Sequence, residues 1–328
     1  MESAPGQKPE PEAAGSPGPA DGVGAVLERR WTRRRVLAWG LGAGATVSAA
    51  GVVGVELVSH GVLPGHQVLL SVEGACAVPR PVLEFSALGP ASSGRFFSRA
   101  RHRVVGYTIA YPPGHGPGSV LPLVVVLHAY GADHTDALSG MSPAQALALR
   151  VDGRPLLPMA MVTVDGGGGY WHPHPGDDPL GMLVHELIPM CRSRGLGRPA
   201  QGLCTIGVSM GGYGAILVAE KYPAMVKAVA AISPAVWTTY AEAHGANPGA
   251  YSSAQDFAAN DVVTHASALQ GVAVRLASGT SDPFHPGVRI LAAELPHAVV
   301  DFSKGCHTGP FFLAQEPPSL AFVSDHLR

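Results

Sequence analysis

From residue 93 to its end the chain alternates short runs of aliphatic, β-branched residues with longer stretches whose apolar positions recur at helical spacing. The segment 93–111 alternates apolar and polar positions, which predicts a hairpin at a sheet edge. "VLPLVVVLHAYG" (Val120 to Gly131) and "LPMAMVTVDGGGG" (Leu157 to Gly169) have continuous apolar centres that end in turns, as strands buried on both faces do. Further strands are predicted at Gly202 to Gly207 and in "VKAVAAIS", "VAVRLASG" and "HAVVDFS". Helices are predicted from Asp177 to Gly195, from Met210 to Pro223, from Gly287 to Leu295 and, last, over 317–327. Such alternation predicts the α/β class with a mainly parallel central sheet flanked by helices. The stretch Ala235 to Gln270 is too long for a plain connection and carries Trp237, Tyr240, Tyr251 and Phe257; it reads as a helical flap between two late strands.

Upstream the pattern changes. Residues 1–31 are rich in Pro, Gly, Ala and Glu and read as disordered. Residues 32–60 hold Thr32-Arg33-Arg34-Arg35-Val36-Leu37 and then an uncharged, Gly- and Ala-rich stretch, Val36 to Val55, which resembles a bacterial twin-arginine export signal. No small-x-small cleavage site precedes Glu56, so a cleaved signal and a retained N-terminal membrane tether through 36–55 both stay open. Either route leads to an extracellular, cell-envelope or membrane-anchored protein. Residues 61–92 read as a loop-rich linker and 93–328 as the α/β domain. With 46% hydrophobic and 14% charged residues the chain can bury a sizeable core, and a net charge of −2 gives it no basic face for nucleic acid. Its four cysteines allow three pairings if all are bridged. Cys204, inside a strand, reads as a buried thiol, and Cys306 as a small packing residue.

The chemistry concentrates in "TIGVSMGGYGA". Gly207-Val208-Ser209-Met210-Gly211 has the spacing G-x-S-x-G between a predicted strand and a predicted helix, the context in which a tight turn pushes a serine hydroxyl out at a sheet edge. A serine hydroxyl needs a base, and the base needs an orienting acid. Asp282 falls just past "VAVRLASG", and His307 falls in the loop between the last strand and the last helix, in the chain order Ser, acid, His. Asp256 and Asp261 are rival acids, but they fall in the flap. Two backbone N–H donors for an oxyanion are expected at Met210, at the helix N-terminus, and at Tyr130, with Ala129 as the alternative, after the first central strand. Substrate-cleft candidates are Tyr170, Trp171, His128 and Asp178, with Asp177 and Asp178 also beginning a helix at Pro179. His172 and His174 flank a proline without zinc-like spacing, so neither a metal nor a cofactor is expected.

"VVVLHAYGADH", "VDGGGGYWHPHPGDDPLGMLVHELIP", "GVSMGGYGA", "SGTSDPF" and "GCHTGPFF" together resemble, in order, the blocks of the esterase branch of the α/β-hydrolases over roughly Arg95 to Leu327. That branch includes S-formylglutathione hydrolases (esterase D), feruloyl esterases and mycolyltransferases. The resemblance implies an α/β-hydrolase sheet and a cofactor-free serine mechanism, with Ser209 as nucleophile, Asp282 as acid and His307 as base. The family usually has Gly where Ala129 stands, so a methyl group is added beside the donor loop. The implied activity is a carboxylesterase acting on a small-molecule or lipid ester through an acyl-enzyme. A mycolyltransferase-type acyltransfer to a sugar or lipid hydroxyl is the alternative, and a binding protein that has lost activity is a third reading.

Overall fold

The computed structural model describes residues 74–200 and 202–327. The segments read as disordered (1–31) and as export signal or anchor (32–60) lie outside the described residues, as does the start of the linker.

The described residues form eleven strands: β1 (Glu84–Phe85), β2 (Ala91–Ser98), β3 (Arg103–Ala110), β4 (Leu123–Leu127), β5 (Leu149–Val151), β6 (Arg154–Pro155), β7 (Ala160–Val164), β8 (Leu203–Val208), β9 (Val226–Ile232), β10 (Ala273–Gly279) and β11 (Val299–Ser303). β1, β5 and β6 make a small separate sheet; the other eight form one sheet in the order β11-β10-β9-β8-β4-β7-β3-β2. β2 and β3 are the expected antiparallel hairpin at the edge, β3 runs antiparallel to β7, and the pairs from β7 through β4, β8, β9 and β10 to β11 are parallel. Every residue of β4, β7 and β8 is buried, which is why these strands read as unbroken apolar runs.

Successive residues of a strand face opposite sides of the sheet. Val125 and Leu127 therefore enter one core with Ile216 and Leu217, whereas Val124 and Val126 enter the other with Leu147, Leu320 and Val323. The helices that cover these faces are α1 (Pro143–Ala148), α2 (Pro179–Met182), α3 (Ile188–Ser193), α4 (Met210–Lys221), α5 (Tyr240–Ala246), α6 (Ala254–Ala259), α7 (His285–Glu294) and α8 (Gly309–Asp325). The flap between β9 and β10 is helical as expected, built from α5, α6 and a 3₁₀ turn at Ala266–Leu269.

Two helices depart from the sequence pattern. The helix expected over 177–195 is divided by a π-helical turn, Leu183–Leu187, ahead of Pro189, which has no N–H to give to the preceding turn. The last helix starts at Gly309, eight residues before the expected start, and runs through Pro317 and Pro318. Two prolines remove two backbone bonds, but tertiary contacts hold the helix together. Phe311, Gln315, Ser319, Leu320 and Val323 are buried, and the Arg275 guanidinium on β10 donates to Ser319 Oγ and to Gln315 Oε1, both at 2.8 Å. Tertiary burial overrides a local breaker here.

The core also takes in two carboxyls. Glu220 on α4 is 5% exposed and neither of its oxygens has a hydrogen-bond partner; burial pushes its pKa up to about 9. Glu316 on α8 accepts from the Ser139 N–H and is raised to about 8, again by burial. Both groups fold as neutral acids. An acid whose folded pKa is raised binds more protons folded than unfolded, so each makes stability fall as pH climbs from about 4.5, the unfolded value, toward 8–9. We expect the thermal midpoint of Glu220→Gln minus that of the parent to grow between pH 5 and pH 9, measured by calorimetry; a pH-independent difference contradicts the buried neutral acid.

Candidate active site

The carboxyl ends of the parallel strands meet at one rim, the place where open α/β sheets assemble sites. Ser209 follows β8 directly, Asp282 lies three residues past β10, and His307 lies four past β11. Ser209 itself has φ 56° and ψ −121°, a left-handed conformation that a serine adopts only under constraint. The constraint is steric and comes from both sides. A Cβ on Gly207 would stand 2.2 Å from the Gly211 carbonyl carbon, and one on Gly211 would stand 1.9 Å from the Leu127 oxygen. Helix α4 thus approaches both β8 and the end of β4 closer than any side chain permits, and the turn from β8 into α4 has to be sharp. Backbone bonds pin it: Ser209 N–H donates to Ile232 O at 2.9 Å, and Tyr213 and Ala235 N–H groups donate to Ser209 O at 3.0 Å.

The three side chains converge. His307 Nε2 lies 2.8 Å from Ser209 Oγ, and His307 Nδ1 lies 2.9 Å from Asp282 Oδ2. The Asp282 side chain is fully buried, and its other oxygen accepts from the Phe284 N–H at 2.8 Å. With Nδ1–H donating to the carboxylate, Nε2 carries the lone pair and accepts the Ser209 hydroxyl proton. The imidazole is held between Phe284 and Phe312, whose ring centres lie 5.0 and 4.9 Å away. Asp256 and Asp261 do not come near it: Asp256 accepts from Ser252, Asp261 from Thr264. Chemically, this arrangement can take a proton from an alcohol while a buried carboxylate stabilises the resulting imidazolium.

The family model described as "Putative esterase" matches residues 98–298, more than half of the chain. The chain belongs to this esterase family. The matched region holds Ser209 and Asp282 and stops short of His307, so the histidine rests on geometry. The esterase is also similar to solved structures. A ferulic acid esterase aligns with a TM-score of 0.61 at 17% identity, over 75% of this chain and 100% of its own. An S-formylglutathione hydrolase from Agrobacterium tumefaciens aligns with a TM-score of 0.55 at 15% identity, over 76% and 100%. MPT51 (FbpC1) of Mycobacterium tuberculosis aligns with a TM-score of 0.52 at 18% identity, over 77% and 100%. At these identities the likeness is one of fold. No curated protein matches the chain.

Of the remaining sequence candidates, some stand where they were expected and some do not. Met210 is the first residue of α4, where an N–H has no intrahelical acceptor. Tyr130 stands three residues past β4, in the loop that lies beside the elbow: β4 pairs with β8, and Gly211 packs on the Leu127 and His128 carbonyls. His128 is not a cleft residue. It is wholly buried, its Nε2 accepts from Gly166 N–H at 2.8 Å, and its Nδ1–H therefore donates to Ala129 O, also at 2.8 Å. Burial pushes its pKa down, which keeps the ring neutral in that tautomer. The peptide it grips is the one that carries the Tyr130 N–H.

Trp171 is likewise buried rather than lining a cleft, its ring filling the space that Gly214 leaves on α4, with Nε1–H toward His128 O at 3.3 Å. Tyr170 is only 5% exposed and packs against Tyr213 and Tyr251. The Gly-rich run before these residues lets the chain turn inward, so aromatic residues that read as cleft walls end up in the core. Asp178 caps α2, accepting from Gly181 N–H at 2.7 Å, while Asp177 pairs with Arg101 at 2.6 Å. Both carboxylates are engaged in folding the loop.

Cys306 is no mere packing residue. It is bonded to Cys76, 230 positions earlier, whereas Cys191 and Cys204 are buried free thiols. No spacing rule pairs Cys76 with Cys306; the only hint in the sequence was a cysteine directly beside the histidine. The bridge ties the His307 loop to the chain ahead of the sheet. We expect Cys76→Ser to lower stability by about 2–4 kcal/mol in chemical denaturation, with the parent falling to the same level in dithiothreitol. Equal stability with and without reductant contradicts the bridge.

Proposed function

We propose that the esterase is an exported serine carboxylesterase. Ser209 attacks the ester carbonyl, His307 takes its proton and returns it to the leaving alcohol, and Asp282 holds the imidazole. The acyl group rests on Ser209 until a water, activated by the same imidazole, releases it. The observation that carries this reading is the unbroken line of hydrogen bonds from Ser209 Oγ through His307 to a buried carboxylate.

The N–H groups of Met210 and Tyr130 are the proposed donors to the oxyanion. His128 then acts as a positioning residue, since its bond to Ala129 O fixes the plane of the peptide that ends in the Tyr130 N–H. Next to this loop a cavity of about 630 Å³ opens between Ala129, Leu138, Phe312 and Leu313, with Arg80 at its rim. Its walls are mostly apolar and Phe312 also packs on His307, so this cavity is the proposed seat of one side of a small-molecule or lipid ester. The same chemistry passes an acyl group to a sugar or lipid hydroxyl when that acceptor replaces water. Product analysis with and without an added sugar acceptor separates the two outcomes. No nucleic-acid partner is expected.

Export rests on the twin-arginine-like segment, and the Cys76–Cys306 bridge supports it, because disulfides persist outside the reducing cytoplasm. Whether residues 36–55 then stay as a tether is read from the membrane or soluble fraction that holds the protein.

Ser209→Ala is expected to abolish hydrolysis of p-nitrophenyl acetate and butyrate with the thermal transition retained; turnover in that variant refutes the nucleophile. Asp282→Asn is expected to lower kcat by about 10⁴-fold, and the same loss in Asp261→Asn instead would name a different acid. His128→Asn is expected to cut kcat by one to two orders of magnitude with KM little changed, since one oxyanion donor is worth about 10²–10³. A change confined to KM would remove His128 from that role. Replacing Arg33 and Arg34 by lysine is expected to hold the protein in the cytoplasm, scored by fractionation; unimpaired export counts against the signal.

A further inference from the structure

The loop that follows β7 and the flap helix α6 bring together three groups that the active site does not use. A ring nitrogen of His172, a ring nitrogen of His174 and a carboxylate oxygen of Asp256 all lie within 4.8 Å of one another. The histidines are two apart in the chain, and the aspartate comes from 82 positions beyond His174, a count taken from their numbers.

Each imidazole sets its Nε2 against a backbone carbonyl. His172 Nε2 lies 2.7 Å from Ala250 O, and His174 Nε2 lies 2.7 Å from Gly169 O. A carbonyl only accepts, so in the neutral ring the shorter carbonyl contact puts the hydrogen on Nε2 and the lone pair on Nδ1. Metal-bound histidines have this outer arrangement, one nitrogen donating to a carbonyl and the other free to ligate. Asp256 is held as firmly: Oδ2 accepts from Ser252 N–H and Oγ–H at 2.8 Å, and Oδ1 accepts from Asn260 Nδ2 at 3.0 Å.

What is missing between these groups is positive charge. His172 Nδ1 faces Asp256 Oδ1 at 3.6 Å and the Pro173 carbonyl oxygen at 3.1 Å, with Asn260 Nδ2 at 3.4 Å. In the tautomer with its hydrogen on Nε2, the ring aims a lone pair at two oxygens. The pair sits in a tight place: His172 is fully buried, stacked on Tyr251 at 4.9 Å and beside His174 at 4.2 Å. A divalent ion supplies positive charge beside the carboxylate and takes a ring nitrogen from each histidine. Two imidazoles with one carboxylate suit a transition ion of the zinc type, whose ligands sit about 2.0–2.2 Å from the metal. Neighbouring ligand atoms are then about 3.3–3.6 Å apart, so the 3.6 Å pair is already in place and the wider spacing closes by a small swing of a side chain.

We propose that His172, His174 and Asp256 form a structural site for one zinc-type divalent cation that fastens the flap to the loop after β7. The flap has need of a fastener. Helix α6 has six residues, none of them buried, so apolar packing alone holds it weakly. Its other ties are at the surface or the helix end: the Asn260 carbonyl accepts from Tyr213 O–H at 2.6 Å, the Ala259 carbonyl accepts from Lys221 Nζ at 2.9 Å, and the ring of Phe257 packs on Tyr251 and Tyr240. The sequence pair His172-Pro173-His174 lacks zinc spacing because the third ligand lies in the flap.

The test uses the full chain stripped with EDTA and then titrated with ZnCl₂ against a chromogenic chelator, beside thermal melts with ZnCl₂, CaCl₂ or MgCl₂. The expected result is one tight zinc per chain and a rise in the thermal midpoint on the order of 5 °C at saturating zinc, with calcium and magnesium inert. Asp256→Asn and, separately, His174→Ala are expected to weaken zinc at least tenfold and to remove the rise; both residues are partly exposed and either variant suffices if the other fails to fold. Zinc bound equally well by the parent and the folded variant, through other histidines, overturns the proposal, and so does the absence of tight zinc in the parent. Neither outcome bears on ester hydrolysis, which Ser209→Ala tests by itself.

Discussion

An imidazole suspended between a hydroxyl and a buried carboxylate is a geometry that the protein has to build from three distant parts of its chain. The bond from His307 Nδ1 to Asp282 is the one on which the others depend. Without it the ring is free to turn, and the lone pair that faces Ser209 has no fixed direction. Much of the fold serves that single bond. Phe284 donates its N–H to the second oxygen of Asp282 and sets its ring against the imidazole, Phe312 closes the opposite side, and the Cys76 bridge anchors the neighbouring residue.

The serine side is governed by exclusion rather than attraction. Ser209 holds its left-handed conformation because α4 passes too close to β8 for a Cβ at Gly207 and too close to the end of β4 for one at Gly211. The elbow therefore costs conformational strain that the surrounding sheet has to offset, and it does so with buried parallel strands on either side. A rigid scaffold beneath a strained turn is also what keeps the hydroxyl at the rim while 91% of the residue is hidden, as its 9% exposure shows.

Sequence reasoning reached the strands and the three rim residues because their signals are local. Continuous β-branched runs mark strands buried on both faces, and G-x-S-x-G marks a turn that only glycines allow. It failed where tertiary contacts decide. Pro317 and Pro318 looked like a helix start and instead lie mid-helix, held by Arg275 from a neighbouring strand. Tyr170 and Trp171, after a glycine run, and His128, after a central strand, read as cleft walls, but all three are buried; Tyr170 packs on Tyr213 and Trp171 on Gly214 of α4. His172 and His174 gained a third partner from the flap, and Cys306 a partner from the far end of the described chain; neither contact has any footprint in local spacing.

The account stands on one serine being activated and no other. A fluorophosphonate reagent reacts with an activated serine hydroxyl, and digestion followed by mass spectrometry locates the adduct. Labelling of the native esterase is predicted to add one reagent per chain, on the peptide that carries Ser209, and to remove all ester hydrolysis in proportion. An adduct on a different serine, or full hydrolytic activity in a chain already labelled at Ser209, would contradict it.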